Sequence, residues 1–141
     1  FSFEQMEERL ERTDKPVIAF HHNSRKLAIF HGSDGSKLNR LFNTLMEGME
    51  YEYRAGERVR CAIMQNHFLM KVEEYKAYIL ELKKAISFID SNLEPEASER
   101  SPYRRHSGVY YPYHTFILER FASAYVLQKR LDFTYYKDIP A

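Results

Sequence analysis

Residues 68–90 read "FLMKVEEYKAYILELKKAISFID", and the fold turns on how this stretch is used. Phe68, Val72, Tyr75, Ile79, Leu82, Ile86 and Ile89 recur at alternating spacings of four and three. That is the period of one face of an α-helix. With Phe68 at a d position of a heptad, the a positions are Val72, Ile79 and Ile86. β-Branched residues at a suit a parallel two-stranded coiled coil. Two features oppose a simple zipper. Leu69, Tyr78, Leu80 and Phe88 widen the apolar face beyond a seam, and the flanking positions hold Lys71, Lys76 and Lys83 with no acid among them to pair across a dimer. A wide apolar face marks the core helix of a bundle. The stretch is therefore expected to be a core helix, with self-association as a second use of the same stripe.

Upstream, Leu38, Leu41, Phe42, Leu45, Met46 and Met49 make another stripe at helical spacing. Gly48 weakens that helix, and Ala55-Gly56 is a plausible break. Residues 36–92 are thus two helices or one long helical core. Residues 1–35 are expected to hold a short helix and a β-hairpin. Ser2 and Gln5 form a capping-box pair, with Phe1 and Met6 as a staple, for a helix to about Arg12. Val17–Phe20 and Leu27–Phe30 are short β-type runs separated by a turn at Asn23 and Ser24. Both faces of these runs are apolar, so the hairpin has to be covered on both sides.

Downstream, Pro95 and Pro102 exclude regular helix from residues 93–112, which read as a Pro/Arg/Tyr-rich loop. A last helix follows from about Tyr113 to Leu131, with Ile117, Phe121, Ala124 and Tyr125 on its stripe. The aromatic tail "DFTYYKDIPA" has to dock on something. The expected fold is α+β: a bundle of about four helices with a small N-terminal β-hairpin, in one domain over residues 1–141.

That length can bury a core without metal or disulfide staples. Apolar residues at 44% and charged residues at 29% are ordinary for a soluble globular protein. A net charge of +1 argues against general polyanion binding and leaves room for a local basic patch. The lone Cys61 cannot close an internal disulfide, no apolar run reaches membrane-spanning length, and no signal-peptide pattern opens the sequence. A cytoplasmic setting with no membrane contact is expected. The chain has 11 Tyr, 10 Phe and no Trp. Tyr buries its ring while offering its hydroxyl, so an excess of it points to interfaces.

The tyrosines concentrate in "SPYRRHSGVYYPYH", residues 101–114. Arg100, Arg104, Arg105 and His106 interleave there with Tyr103, Tyr110, Tyr111 and Tyr113. Arg forks grip phosphate or carboxylate, and Tyr rings give stacking faces. The opposing reading has the tyrosines packed on the bundle and the arginines neutralised by Glu94, Glu96 and Glu99. Arg25 and Lys26 at the hairpin tip, beside His22, form a second basic spot, and Arg54, Arg58 and Arg60 form a third. His21, His22 and His31 sit at strand ends too far apart to share a metal ion, so neither metal nor cofactor is expected. Cys61 beside Arg58 and Arg60 is a nucleophile only if its thiol is exposed and its pKa lowered.

One enzymatic pattern occurs. Six residues separate Arg60 from His67, and five separate Arg100 from His106. This is similar to the Arg/His pair of helical ribonucleases of the HEPN group. In them Arg stabilises the charged transition state and His moves a proton, at a site completed by a dimer. The polar residue usual after the Arg is Cys61 here, which is a departure. The resemblance implies RNA cleavage by Arg60 and His67 if both lie on one helix face. The favoured expectation is a non-enzymatic binding or regulatory module. It would act as a homodimer through contact with a protein partner, with nucleic-acid binding by the Arg/Tyr segment and hairpin tip as the alternative.

Overall fold

The computed structural model describes residues 2–20, 35–63, 66–103 and 107–141. The four helices among them are α1 (Phe3–Leu10), α2 (Gly35–Gly48), α3 (Val72–Asn92) and α4 (Tyr113–Gln128). Five three-residue strands accompany them: β1 (Val17–Ala19), β2 (Phe68–Met70), β3 (Arg100–Pro102), β4 (Tyr110–Pro112) and β5 (Phe133–Tyr135). They form a three-stranded sheet in the order β2-β1-β5 and a two-stranded sheet of β3 and β4. The class is α+β, as expected, but the strands pair differently.

β1 is apolar on both faces, and all three of its residues are buried. It pairs antiparallel with β2, placing Ile18 opposite Leu69, and parallel with β5, placing Ile18 opposite Thr134. Both its hydrogen-bonding edges are therefore occupied by distant segments. This corrects the expected hairpin, in which Val17–Phe20 would have paired with Leu27–Phe30. The double-sided apolar pattern signalled a covered strand rightly; it could not say which strands do the covering. Residues 21–34, with the expected tip at Arg25 and Lys26, lie outside the described residues.

The helix expected at the N-terminus is α1. Ser2 Oγ accepts from Gln5 N at 3.2 Å, and Gln5 Oε1 accepts from Ser2 N at 3.0 Å, completing the capping box. The proposed staple involves Phe1, outside the described residues. None of its residues is buried. Arg9 anchors it by donating to Ile139 O at 2.7 Å and Lys137 O at 2.8 Å, with its guanidinium 4.7 Å from the centre of the Tyr136 ring. The aromatic tail thus docks, as β5 and as the clamp on α1.

α2 buries Leu38, Leu41, Phe42, Leu45 and Met46, the stripe read from the sequence. Gly48 closes it where a Cβ would lie 2.1 Å from the Phe88 ring, so this glycine permits a close approach to α3.

The helix expected over 68–90 begins only at Val72, because Phe68–Met70 is drawn off to β1 as a strand. α3 is also rotated relative to its heptad stripe. Its buried residues are Tyr78, Ala85 and Ile89. Val72, Tyr75 and Ile86 are exposed, and Ile79 and Leu82 are half-buried. Tyr78 fixes the rotation by reaching an aromatic cluster, 5.2 Å from the Tyr125 ring and 6.1 Å from Phe121. On the neighbouring side Tyr51 Oη donates to Glu81 Oε2 at 3.0 Å.

The helix enclosed by the rest of the fold is α4, in which 11 of 16 residues are buried. A helix apolar all round belongs in the interior. Ser123 Oγ accepts from Ile63 N at 2.7 Å and donates to Ile63 O at 3.2 Å, tying residues 59–63 against α4. Among the described residues no helix is long and apolar enough to cross a membrane.

Candidate functional site

Half of the α3 stripe stands outside the core. Val72 is 66% exposed, Tyr75 48% and Ile86 39%, and Leu69 of β2 adds 40%. Half-buried Ile79 and Leu82 connect them. Between β2 and the first turns of α3 lies an open groove of about 410 Å³, lined by Phe68, Leu69, Tyr75, Ile79 and Leu82 among others. Single exposed apolar residues are normal on a protein surface, but a connected row with its own groove marks a contact site. Both flanks of the row carry lysine: Lys76 and Lys83 are exposed on one, with Asp90 the acid at its far end, and Lys71 is exposed at the start of the other. Lys76 pairs at 3.0 Å with Glu73, both well exposed, and Lys71 donates to Asp14 O at 2.7 Å. Such an exposed pair binds weakly and yields readily to a partner.

The described ends of the segment "SPYRRHSGVYYPYH" are paired strands and the start of α4. Arg100 stands opposite Pro112, Ser101 opposite Tyr111 and Pro102 opposite Tyr110 in an antiparallel hairpin. Tyr103 N donates to Val109 O at 2.8 Å and Tyr113 N to Glu99 O at 3.0 Å. Hydrogen-bonded pairs therefore fall at 103/109, 101/111 and 99/113. Both prolines land in the intervening pairs, where a missing N–H costs no ladder bond. Gly108 takes φ +69° near the turn, a conformation glycine adopts freely.

The tyrosines divide by exposure. Tyr113 is buried, with the Lys37 ammonium 5.4 Å from its ring centre. Tyr103 packs on the core and meets Tyr111 edge-on at 6.1 Å. Tyr110 and Tyr111 are 53% and 43% exposed. The three nearby acids are engaged with other groups. Glu99 pairs with Lys37, and Glu96 with Arg40 and Lys37. Glu94 accepts from Ser98 and lies 3.1 Å from His114 Nε2. The hydrogen bond from Arg40 holds the Glu96 carboxyl below its ordinary range, and that from Ser98 does the same for Glu94. Arg100, the first residue of β3, is exposed; Arg104, Arg105 and His106 lie outside the described residues.

Arg60 and His67 do not share a helix. Residues 59–63 are irregular, and His67 precedes β2, where its carbonyl accepts from Phe20 N at 3.1 Å. The Arg60 guanidinium sits 5.2 Å from the Phe133 ring centre. The helix face that the ribonuclease pattern needs is absent at this pair. Cys61 is fully buried, and burial pushes its thiol up to about 12 despite the neighbouring Arg60, so it is a core residue and no nucleophile. Arg54 of the third basic spot is turned onto its own backbone, donating to Tyr53 O at 2.9 Å. Among the described residues no group of three or more His, Cys, Asp or Glu could hold a metal ion.

Sequence reasoning missed Arg120, only 8% exposed within α4. It donates to Phe116 O at 2.7 Å and pairs with Glu119 at 3.2 Å, and burial lowers its pKa. An isolated Glu-Arg dipeptide inside an apolar helix was the available signal. Compared with known proteins, the chain matches no family model, no curated protein and no solved structure.

Proposed function

We propose that this chain is a protein-binding module that acts through the outer face of α3. The observation that carries the reading is the connected row of Leu69, Val72, Tyr75, Ile79 and Ile86, four of the five exposed, beside a groove. Removing such a row from water on association is favourable at about 25 cal/mol per Å² of apolar area. The test is a capture experiment from extract of the native cell. Val72→Glu with Ile86→Glu should abolish recovery of the bound protein while shifting Tm by no more than about 2 °C, because both side chains are exposed. Equal recovery by the parent and the variant would refute the reading.

A second reading is favoured by the hairpin of β3 and β4. Tyr110 and Arg100 are exposed on one face of the paired strands and Tyr111 is exposed on the other, while Glu96 and Glu99 are occupied by Lys37 and Arg40. Stacking faces beside a cation suit single-stranded nucleic acid. Fluorescence anisotropy with a labelled oligonucleotide decides it. Binding should weaken by orders of magnitude between ~50 and ~200 mM salt if several phosphates are contacted, and Tyr110→Ala with Arg100→Ala should weaken it further. No binding at the lower salt would end this reading.

A further inference from the structure

The occupant of the α3 face can be specified by its chemistry; this inference rests on the reading of that face as a contact site. The exposed row repeats at spacings of three and four from Val72 to Ile86. At 1.5 Å per residue it extends over about 21 Å, two heptads of helix. A face of that shape accepts the apolar side of another helix laid along it.

A second copy of the chain fits poorly, and the charges say why. In a parallel pair of α3 helices, g faces e of the other strand, so Lys71 would meet Lys76 of the second copy. In an antiparallel pair, e faces e, which brings Lys76 against Lys83. Both arrangements set like charges together beside an apolar seam, where water is scarce and repulsion is strong. Asp90 stands beyond Ile86, the last exposed apolar residue of the row. The other flank begins at Lys71 and continues with Tyr78 and Ala85, both buried, and offers no counter-charge.

We infer that the α3 face binds an acidic amphipathic helix of a different protein. Apolar side chains of that helix pack on Val72, Tyr75, Ile79 and Ile86, and its Asp or Glu residues face Lys76 and Lys83. The Glu73 carboxylate is then exchanged for the partner's at Lys76.

Three defined probes test this on the intact chain. The first is a labelled 21-residue helical peptide with Leu and Ile at a and d and Glu at e and g. Its own charges oppose self-pairing. The second has Lys in place of every Glu, and the third is the first with its apolar residues scrambled. At ~50 mM salt the Glu peptide should bind at least about tenfold more tightly than the Lys peptide, and the scrambled peptide should not bind. Lys76→Glu with Lys83→Glu should invert the preference, and Val72→Glu should abolish binding of the Glu peptide. Equal affinity for Glu and Lys peptides, or binding of neither, would overturn the inference. So would sedimentation equilibrium showing a dimer that Val72→Glu with Ile86→Glu dissociates. In that case the face remains a protein contact and only its partner has been misassigned. If neither peptide binds, the native-extract capture separates the two failures. Loss of the captured protein in the variant keeps the contact reading, and its retention removes both.

Discussion

At the residue scale, the local environment decides which groups can act. Cys61 has Arg60 as its neighbour in sequence, yet burial dominates and keeps the thiol protonated. The folded protein should therefore resist a thiol-reactive disulfide reagent at pH 8 and react only as it unfolds. Rapid modification of the folded protein would contradict that. Glu96 illustrates the opposite case. Arg40 holds its carboxyl below the ordinary 4.5, and a depressed folded-state pKa stabilises the fold above the unfolded value. That contribution should be complete at pH 7 and fade as the pH falls below about 4.5 through the folded-state value. Because the pair is exposed and screened, Glu96→Gln should lower Tm by only about 1–4 °C at pH 7, with the difference shrinking as the pH falls below the ordinary carboxylate range. A difference that does not shrink at all as the pH falls would show that the ion pair is not its source.

At the scale of elements, periodicity and partnership are separate kinds of information. The stripe of α2 was legible, and so was its burial, because one face carries nearly all the apolar residues. The capping box of α1 was equally legible, since both of its groups lie within four residues. The pairing of β1 was not. Its partners are about 50 and 116 residues away, and three apolar residues in a row fit many edges. The prolines of 101–114 pointed to a loop, and only the register revealed that both occupy non-hydrogen-bonded positions of a hairpin. α1 has no buried residue, so its attachment rests largely on Arg9. Arg9→Ala should remove hydrogen-exchange protection from residues 3–10 and 136–140 while leaving α2 and α4 protected. Unchanged protection of α1 would place its anchor elsewhere.

For the whole molecule, the same seven-residue pattern serves two ends. Read from sequence alone, the row from Phe68 to Ile89 is one helix face. In the fold, Phe68 joins a sheet, Ile89 enters the core, and Val72, Tyr75 and Ile86 face outward. The rotation follows from Tyr78, whose ring reaches Phe121 and Tyr125 on α4, the enclosed helix. The sequence marked this stretch as the place to look, and marked the lysines flanking it. It could not show that half the row would be left over, because that depends on where α4 and the aromatic cluster sit. Arg25 and Lys26, expected at a hairpin tip, add nothing to this, lying outside the described residues.

The division of the row is what the contact face depends on, and chemical denaturation of two neighbouring variants measures it directly. Ile89 is 1% exposed and Ile86 is 39% exposed. Ile89→Ala should cost about 2–5 kcal/mol, the usual loss for a buried isoleucine, and Ile86→Ala less than about 1 kcal/mol with an unchanged m-value. Equal losses would mean that Ile86 is as enclosed as Ile89, and that α3 has no free face to offer a partner.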